Sequence, residues 1–143
     1  MPKIDKVLVK QKIGMADEYF KRMKKHLGSA KSAAEIDIDK RDALERTFEL
    51  TVEKMLEINY YFIKTLASKP VDDLKSTFTT MGDLGILPPD FARKISSVTA
   101  VRNILVHQYE KLDFDLFLQN LRNNIGDFET YFSYVLKFIE NAD

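Results

Sequence analysis

The sequence predicts an all-α protein: an antiparallel up-and-down four-helix bundle with an additional short helix, homodimeric. Apolar residues recur at steps of three and four almost throughout, and no stretch alternates with the period of two that a half-buried strand requires. Helix-stopping residues at Gly28, at Pro70 and in the run from Gly82 to Pro89 cut the chain into long amphipathic segments joined by short connections. The homodimer is expected from a surface of the fourth segment.

The first helix is expected over about residues 5–27, with Ile4, Val7, Leu8, Phe20, Met23 and Leu27 as its apolar side and Gly28 as its stop. Gly14 weakens it slightly. After a polar connection over residues 28–35, Asp37 or Asp39 can cap a second helix over about residues 40–67. Leu44, Phe48, Val52, Met55, Ile58, Phe62 and Leu66 form its buried stripe, and Pro70 ends it. Asp72 or Asp73 can start a short third helix that turns Leu74, Phe78 and Met81 inward, before Gly82, Gly85, Pro88 and Pro89 make a loop. Helix four begins at Pro89 or Asp90, where proline is tolerated, and continues to about Tyr109. Asp113 can cap the last helix, along which Phe117, Leu121, Ile125, Phe128, Phe132, Val135 and Ile139 repeat. Ten phenylalanines at helical spacing are read as core and not as platforms for nucleobases.

A length of 143 residues suits one domain, residues 1–143, with a core that needs no disulfide or metal. The absence of cysteine and of a leader-like apolar stretch in the first ten residues leads us to expect a cytoplasmic protein without membrane contact. Basic and acidic residues number 22 each, so any contact with nucleic acid has to be local. Lys21, Arg22, Lys24, Lys25 and His26 do cluster at the end of the first helix. Cations there complement the helix dipole, so a solvated helix end is the preferred reading over an RNA-guiding patch. The two histidines are far apart, and Glu45, Glu49 and Glu53 at four-residue spacing read as a solvated stripe, so no metal is expected. No phosphate loop or dinucleotide fingerprint occurs, and no cofactor is expected.

Chemistry concentrates in Arg102-Asn103-Ile104-Leu105-Val106-His107-Gln108-Tyr109. Imidazole can accept and donate protons near neutral pH, and a guanidinium offers a planar fork of donors to phosphate oxygens. On a regular helix Arg102 and His107 are separated by roughly 140° and about 7.5 Å along the axis. Asn103 and His107, four apart, lie nearly one above the other, as do Arg102 and Tyr109, seven apart. Val98, Val101, Ile104 and Leu105 occupy the opposite side and are expected to face the core. Read in isolation, His107 is a helix-end histidine satisfied by carbonyls and Arg102 a partner in a dimer salt bridge. Tyr109 is then a phenol at the bundle edge, and His26 a surface residue.

The extended string R-N-x-L-V-H-x-Y resembles the signature of HepT-type HEPN proteins. The likeness runs from the second helix through Gly85-Ile86-Leu87-Pro88-Pro89 to the aromatic C-terminal helix. It implies a ribonuclease toxin of a type VII-like toxin-antitoxin pair whose partner is a minimal nucleotidyltransferase. It also implies catalytic roles for Arg102 and His107, a supporting role for Asn103, and a product ending in a 2′,3′-cyclic phosphate. The tyrosine matching Tyr109 is, in the family, where the partner attaches adenylate. Asn59-Tyr60-Tyr61 departs from the polar motif expected in helix two, which puts a contribution of that helix to the site in doubt.

Metal-free cleavage of RNA needs a base for the ribose 2′-hydroxyl, positive charge at the phosphorus, and an acid for the departing 5′-oxygen. One imidazole does not easily serve as both base and acid. Phe91 and Ile95 continue the arc of Arg102 and Tyr109 and, with Val106 between, suggest a two-fold interface that would bring two His107 side chains to one cleft. The reading that follows is a homodimeric endoribonuclease acting on tRNA or mRNA. The alternative is a non-catalytic subunit that presents a nucleotide or substrate to a separate nucleotidyltransferase. A purely structural adaptor would leave the polar arc unexplained.

Overall fold

The computed structural model describes residues 3–67, 70–107 and 111–142. These residues form seven α-helices: α1 (Lys6–Leu27), α2 (Ile38–Phe62), α3 (Leu74–Asp83), α4 (Pro89–Ile95), α5 (Val98–His107), α6 (Phe114–Asn124) and α7 (Gly126–Glu140). A short 3-10 turn at Ala33–Glu35 precedes α2, and a π-helical segment at Ile63–Ala67 continues it. The described residues contain no strand.

Aspartates start four of these helices by satisfying backbone donors that have no partner inside the helix. The Asp5 carboxylate accepts from the amide of Leu8 at 3.0 Å, Asp37 from Lys40 at 2.9 Å, Asp73 from Ser76 at 2.7 Å and Asp113 from Leu116 at 3.2 Å. Helix α1 ends at Gly28, whose φ of 51° suits a residue without a Cβ and whose N–H reaches the Lys24 carbonyl. The buried face of α1 is Val9, Ile13, Ala16, Phe20, Met23 and Leu27. Val7, assigned above to the apolar side, is 67% exposed; the regular three-and-four spacing from Val9 onward wins the core.

Helices α1 and α2 form the largest packed pair, and α7 closes against α1. The Asp5 amide donates to the Tyr61 hydroxyl at 2.8 Å, joining the start of α1 to the end of α2 as antiparallel neighbours require. Phe20 stacks on Phe128 at 5.3 Å between centroids and meets Phe132 edge-on, while Phe48 meets Phe117 edge-on at 5.3 Å. Each such pair adds about 0.5–1.5 kcal/mol to the burial itself. Within this core Tyr131 donates to Asn59 Oδ1 at 2.5 Å, and Asn59 Nδ2 donates to Thr77 Oγ1 at 3.0 Å. The chain thereby ties α7, α2 and α3 together through satisfied buried polar groups. Burial pushes the Tyr131 phenol well above its ordinary pKa of 10.0.

Two expected helices are each divided. The fourth, anticipated as continuous from Pro89 to Tyr109, breaks between Ile95 and Val98. The Ser96 hydroxyl donates to the Arg93 carbonyl at 2.6 Å and the Ser97 hydroxyl to the Lys94 carbonyl at 2.9 Å. Side chains that occupy these carbonyls compete with the helix ladder, and the backbone there shifts to three-residue bonding such as Thr99 to Ser96. The last helix divides at Ile125, just ahead of Gly126, a poor helix former. At Gly82 a Cβ would come to 3.1 Å from that of Ala92, so its bare backbone is what lets α3 and α4 approach.

Candidate functional site

The break at Ser96 and Ser97 makes α5 a separate ten-residue helix, laid mainly against α2 and more lightly against α3. Thr99 and Leu105 are its buried residues. Val98, Val101 and Ile104, expected in the core, are only half-buried. They line an open groove of about 520 Å³ together with Leu112, Phe117 and Leu121.

Arg102 is anchored across the fold. Its side chain is 17% exposed, and Nη2 donates to Glu53 Oε1 of α2 at 3.1 Å. Nη1 donates to the Asn103 side-chain oxygen at 3.2 Å. Its Nε is buried and has no hydrogen-bond partner among the described residues. Asn103 and His107 are exposed and one turn apart on the outer side of α5, and His107 is the last residue of the helix. A fixed guanidinium, an amide bonded to it and a solvent-facing imidazole thus share one end of α5. Such a set can bind a phosphate and exchange protons with groups beside it.

The arc proposed for dimer contact needs correction. Ile95 is 1% exposed and belongs to the core of its own protomer, because the break after it rotates α4 out of register with α5. Phe91 is half-buried, its ring 5.3 Å from that of Tyr134. Val106, at 36%, remains exposed. Tyr109, with Gln108, lies outside the described residues.

The acidic stripe also differs from its sequence reading. Glu45, Glu49 and Glu53 are each half-buried and each paired, with Arg41 at 3.4 Å, Arg46 at 3.0 Å and Arg102 at 3.1 Å. Glu53 is the residue that sequence reasoning missed: nothing local distinguishes it from Glu45 and Glu49, and its partner stands 49 positions away. Of Asn59-Tyr60-Tyr61, Asn59 belongs to the core network and Tyr61 accepts from the Asp5 amide, while Tyr60 is exposed. The basic cluster on α1 is largely paired, Lys21 with Asp17, Arg22 with Glu18 and Lys24 with Glu129, as a solvated helix end should be. Among the described residues no group of three or more His, Cys, Asp or Glu could hold a metal ion, and no helix is long and apolar enough to cross a membrane.

The described residues form an all-helical bundle in which α5, packed against α2, ends in R-N-x-x-x-H. Residues 16–135 match the family described as "Ribonuclease HepT-like", and the chain belongs to that family. It is 24% identical to the tRNA nuclease HepT of Aphanizomenon flos-aquae (strain 2012/KM1/D3) over 113 residues, 79% of this chain and 77% of that protein. Solved structures share its fold. The tri-AMPylated Shewanella oneidensis HEPN toxin in complex with MNT antitoxin superposes with a TM-score of 0.79 at 17% identity, over 92% of this chain and 97% of that one. A cytosolic protein of unknown function from Bacillus subtilis, YutE, gives a TM-score of 0.82 at 14% identity, over 98% and 94%.

Proposed function

We propose that this chain is a metal-independent endoribonuclease, the toxin of a toxin-antitoxin pair, with tRNA as the preferred substrate class. The observation that carries the reading is the α5 end itself: a guanidinium held by Glu53 and bonded to Asn103, with an exposed His107 one turn beyond Asn103, in a HepT-like chain. The tRNA nuclease named among its relatives supports the substrate class. In the proposed reaction one imidazole removes the 2′-hydroxyl proton, and the oxygen attacks the adjacent phosphorus. Arg102 stabilises the negative charge that builds there, and a protonated imidazole delivers a proton to the departing 5′-oxygen. The products are a 2′,3′-cyclic phosphate and a free 5′-hydroxyl. A base and an acid are both needed, and a two-fold dimer in which the outer side of α5, including Val106, meets its mate would supply them as two His107 side chains.

Neutralisation is proposed to follow from adenylylation of Tyr109 by a partner nucleotidyltransferase. The AMPylated state of the Shewanella oneidensis toxin supports this assignment. Adenylate two residues beyond His107 would bring a phosphodiester charge that competes with RNA for Arg102 and bulk that obstructs the imidazole. The deciding experiment is cleavage of tRNA by purified protein with and without EDTA, alongside His107→Ala, with analysis of the product ends. Activity that survives the chelator and is lost in the mutant is expected. Undiminished cleavage by His107→Ala, or a product with a 3′-hydroxyl, defeats the mechanism. Co-expression of Tyr109→Phe with the nucleotidyltransferase is expected to leave the nuclease active and unmodified at that position by intact mass.

A further inference from the structure

Among the described residues, Arg102 is the member of the set Arg102, Asn103 and His107 that is hydrogen-bonded to another element, and that bond comes from a single side chain. Glu53 reaches across from α2 to Nη2 at 3.1 Å, and it is one-third exposed while Arg102 is 17% exposed. The second contact, from Nη1 to Asn103, is made by a neighbour on the same exposed helix and fixes nothing relative to the rest of the fold. A guanidinium has five N–H donors in one plane. Among the described residues Nη1 and Nη2 are each committed once and the buried Nε has no partner, so each terminal nitrogen retains one further N–H. Where those two point is set by the plane of the group, and the plane is set by the line from Glu53.

From this geometry we infer that Glu53 is a positioning residue for phosphate recognition: its carboxylate fixes the guanidinium of Arg102 so that the remaining terminal N–H groups face the reacting phosphate. The inference deepens the nuclease reading and rests on it for its kinetic part. An arginine on a helix that touches the body of the protein mainly along one side would otherwise sample several rotamers, and only a fraction would meet charge developing at the phosphorus. The carboxylate also offsets the charge of Arg102 before RNA arrives. Ground-state attraction to RNA is therefore small at this residue, and the benefit of the fixed plane falls on the transition state. That combination predicts an effect on kcat and not on KM.

The test compares Glu53→Ala and Glu53→Gln in the full-length protein, each alone and with Arg102→Ala. Glu53→Ala is expected to lower kcat about ten-fold with KM within about two-fold of the parent. Glu53→Gln should keep more of the activity, because its amide oxygen still accepts from Nη2. Adding Glu53→Ala to Arg102→Ala should lower kcat no further, since Glu53 acts through Arg102. Guanidinium NMR supplies a readout independent of cleavage: separate Nη signals for Arg102 in the parent should average in Glu53→Ala. An unchanged Arg102 spectrum, a parental kcat in Glu53→Ala, or an equal loss without Arg102 would overturn the inference. If parent and His107→Ala are equally inactive on RNA, the nuclease reading fails instead, while the spectrum still decides what Glu53 does.

Discussion

The part of the molecule built from α1, α2, α3 and α7 and the end of α5 use their residues differently. In the first, nearly every inward position is an apolar side chain at zero to a few per cent exposure, aromatic rings interlock, and the buried polar atoms of Tyr131, Asn59 and Thr77 satisfy one another. At the end of α5, two of the three chemical side chains face solvent, the third keeps a buried nitrogen without a partner, and one flank of the helix borders an open groove. The densest apolar packing lies away from the polar set, which sits where few apolar contacts hold the backbone. A helix end with unpartnered donors is what binding an external phosphate requires, and a sealed core would preclude it.

The sharpest way to break this contrast is to exchange the two consequences. His107→Ala is expected to cost about 100-fold to 10,000-fold in RNA cleavage, the range for a group that transfers protons in the transition state. Because the imidazole is exposed, unfolding in urea should move by less than about 0.5 kcal/mol. Phe20→Ala should do the reverse. It removes a ring that is 0% exposed and stacked on Phe128, with an expected loss of about 3–5 kcal/mol in stability. A melting temperature that falls in His107→Ala as far as in Phe20→Ala would show that the α5 end is part of the core after all.

Val106→Asp extends the comparison to the assembly. Val106 is exposed in the single chain, so a carboxylate there should leave the protomer folded. In the proposed dimer it would place two like charges across the two-fold axis, and light scattering should report a monomer with at least about ten-fold less cleavage. Ile95 is unsuited to this test, since a charge at that buried position would unfold the protomer whether or not a dimer exists. A Val106→Asp protein that remains dimeric would move the interface away from α5.

What could be read in advance follows the same division. Helix caps and stripes are local, and Asp37, Asp73 and Asp113 each cap as their spacing to the following apolar run implies. The motif on α5 is equally local and could be quoted as a string. The serine break was not legible, because Ser96 and Ser97 are tolerated in helices and their competition with the ladder depends on which carbonyls they reach. That break is also why Ile95 lies in the core and not on the arc of Arg102: the period of a continuous helix resets there. Glu53 was illegible for another reason, since only the packing of α5 on α2 selects it from three similar glutamates.

A smaller effect is expected inside the core network. Tyr131→Phe keeps the ring but leaves Asn59 Oδ1 buried without its donor at 2.5 Å. Stranding a buried acceptor costs about 1–3 kcal/mol. Denaturant unfolding measures it, and a loss below about 0.5 kcal/mol would mean that the amide finds another donor. Cleavage should be unaffected, because among the described residues none of these groups is hydrogen-bonded to α5.

The smallest expected effect concerns Glu45, the first of the three glutamates, whose pair with Arg41 lies within α2 and does not reach α5. Burial raises the Glu45 carboxyl above the ordinary value of 4.5, and Asp42 raises it further, against the lowering charge and hydrogen bond of Arg41. A carboxyl whose pKa is higher in the folded state binds its proton more tightly there than in the unfolded chain. Its stabilising contribution is complete below pH 4.5 and is lost as the pH rises through the folded-state value. Glu45→Gln cannot lose a proton, so it escapes that decline. Its unfolding free energy relative to the parent should therefore rise from pH 4 to pH 7, by less than about 0.5 kcal/mol for a half-exposed pair. Urea unfolding at the two pH values measures the difference. A variant that becomes less stable than the parent at pH 7 would show that the pair with Arg41, whose guanidinium also lies 4.3 Å above the Phe114 ring, outweighs the burial of the carboxylate.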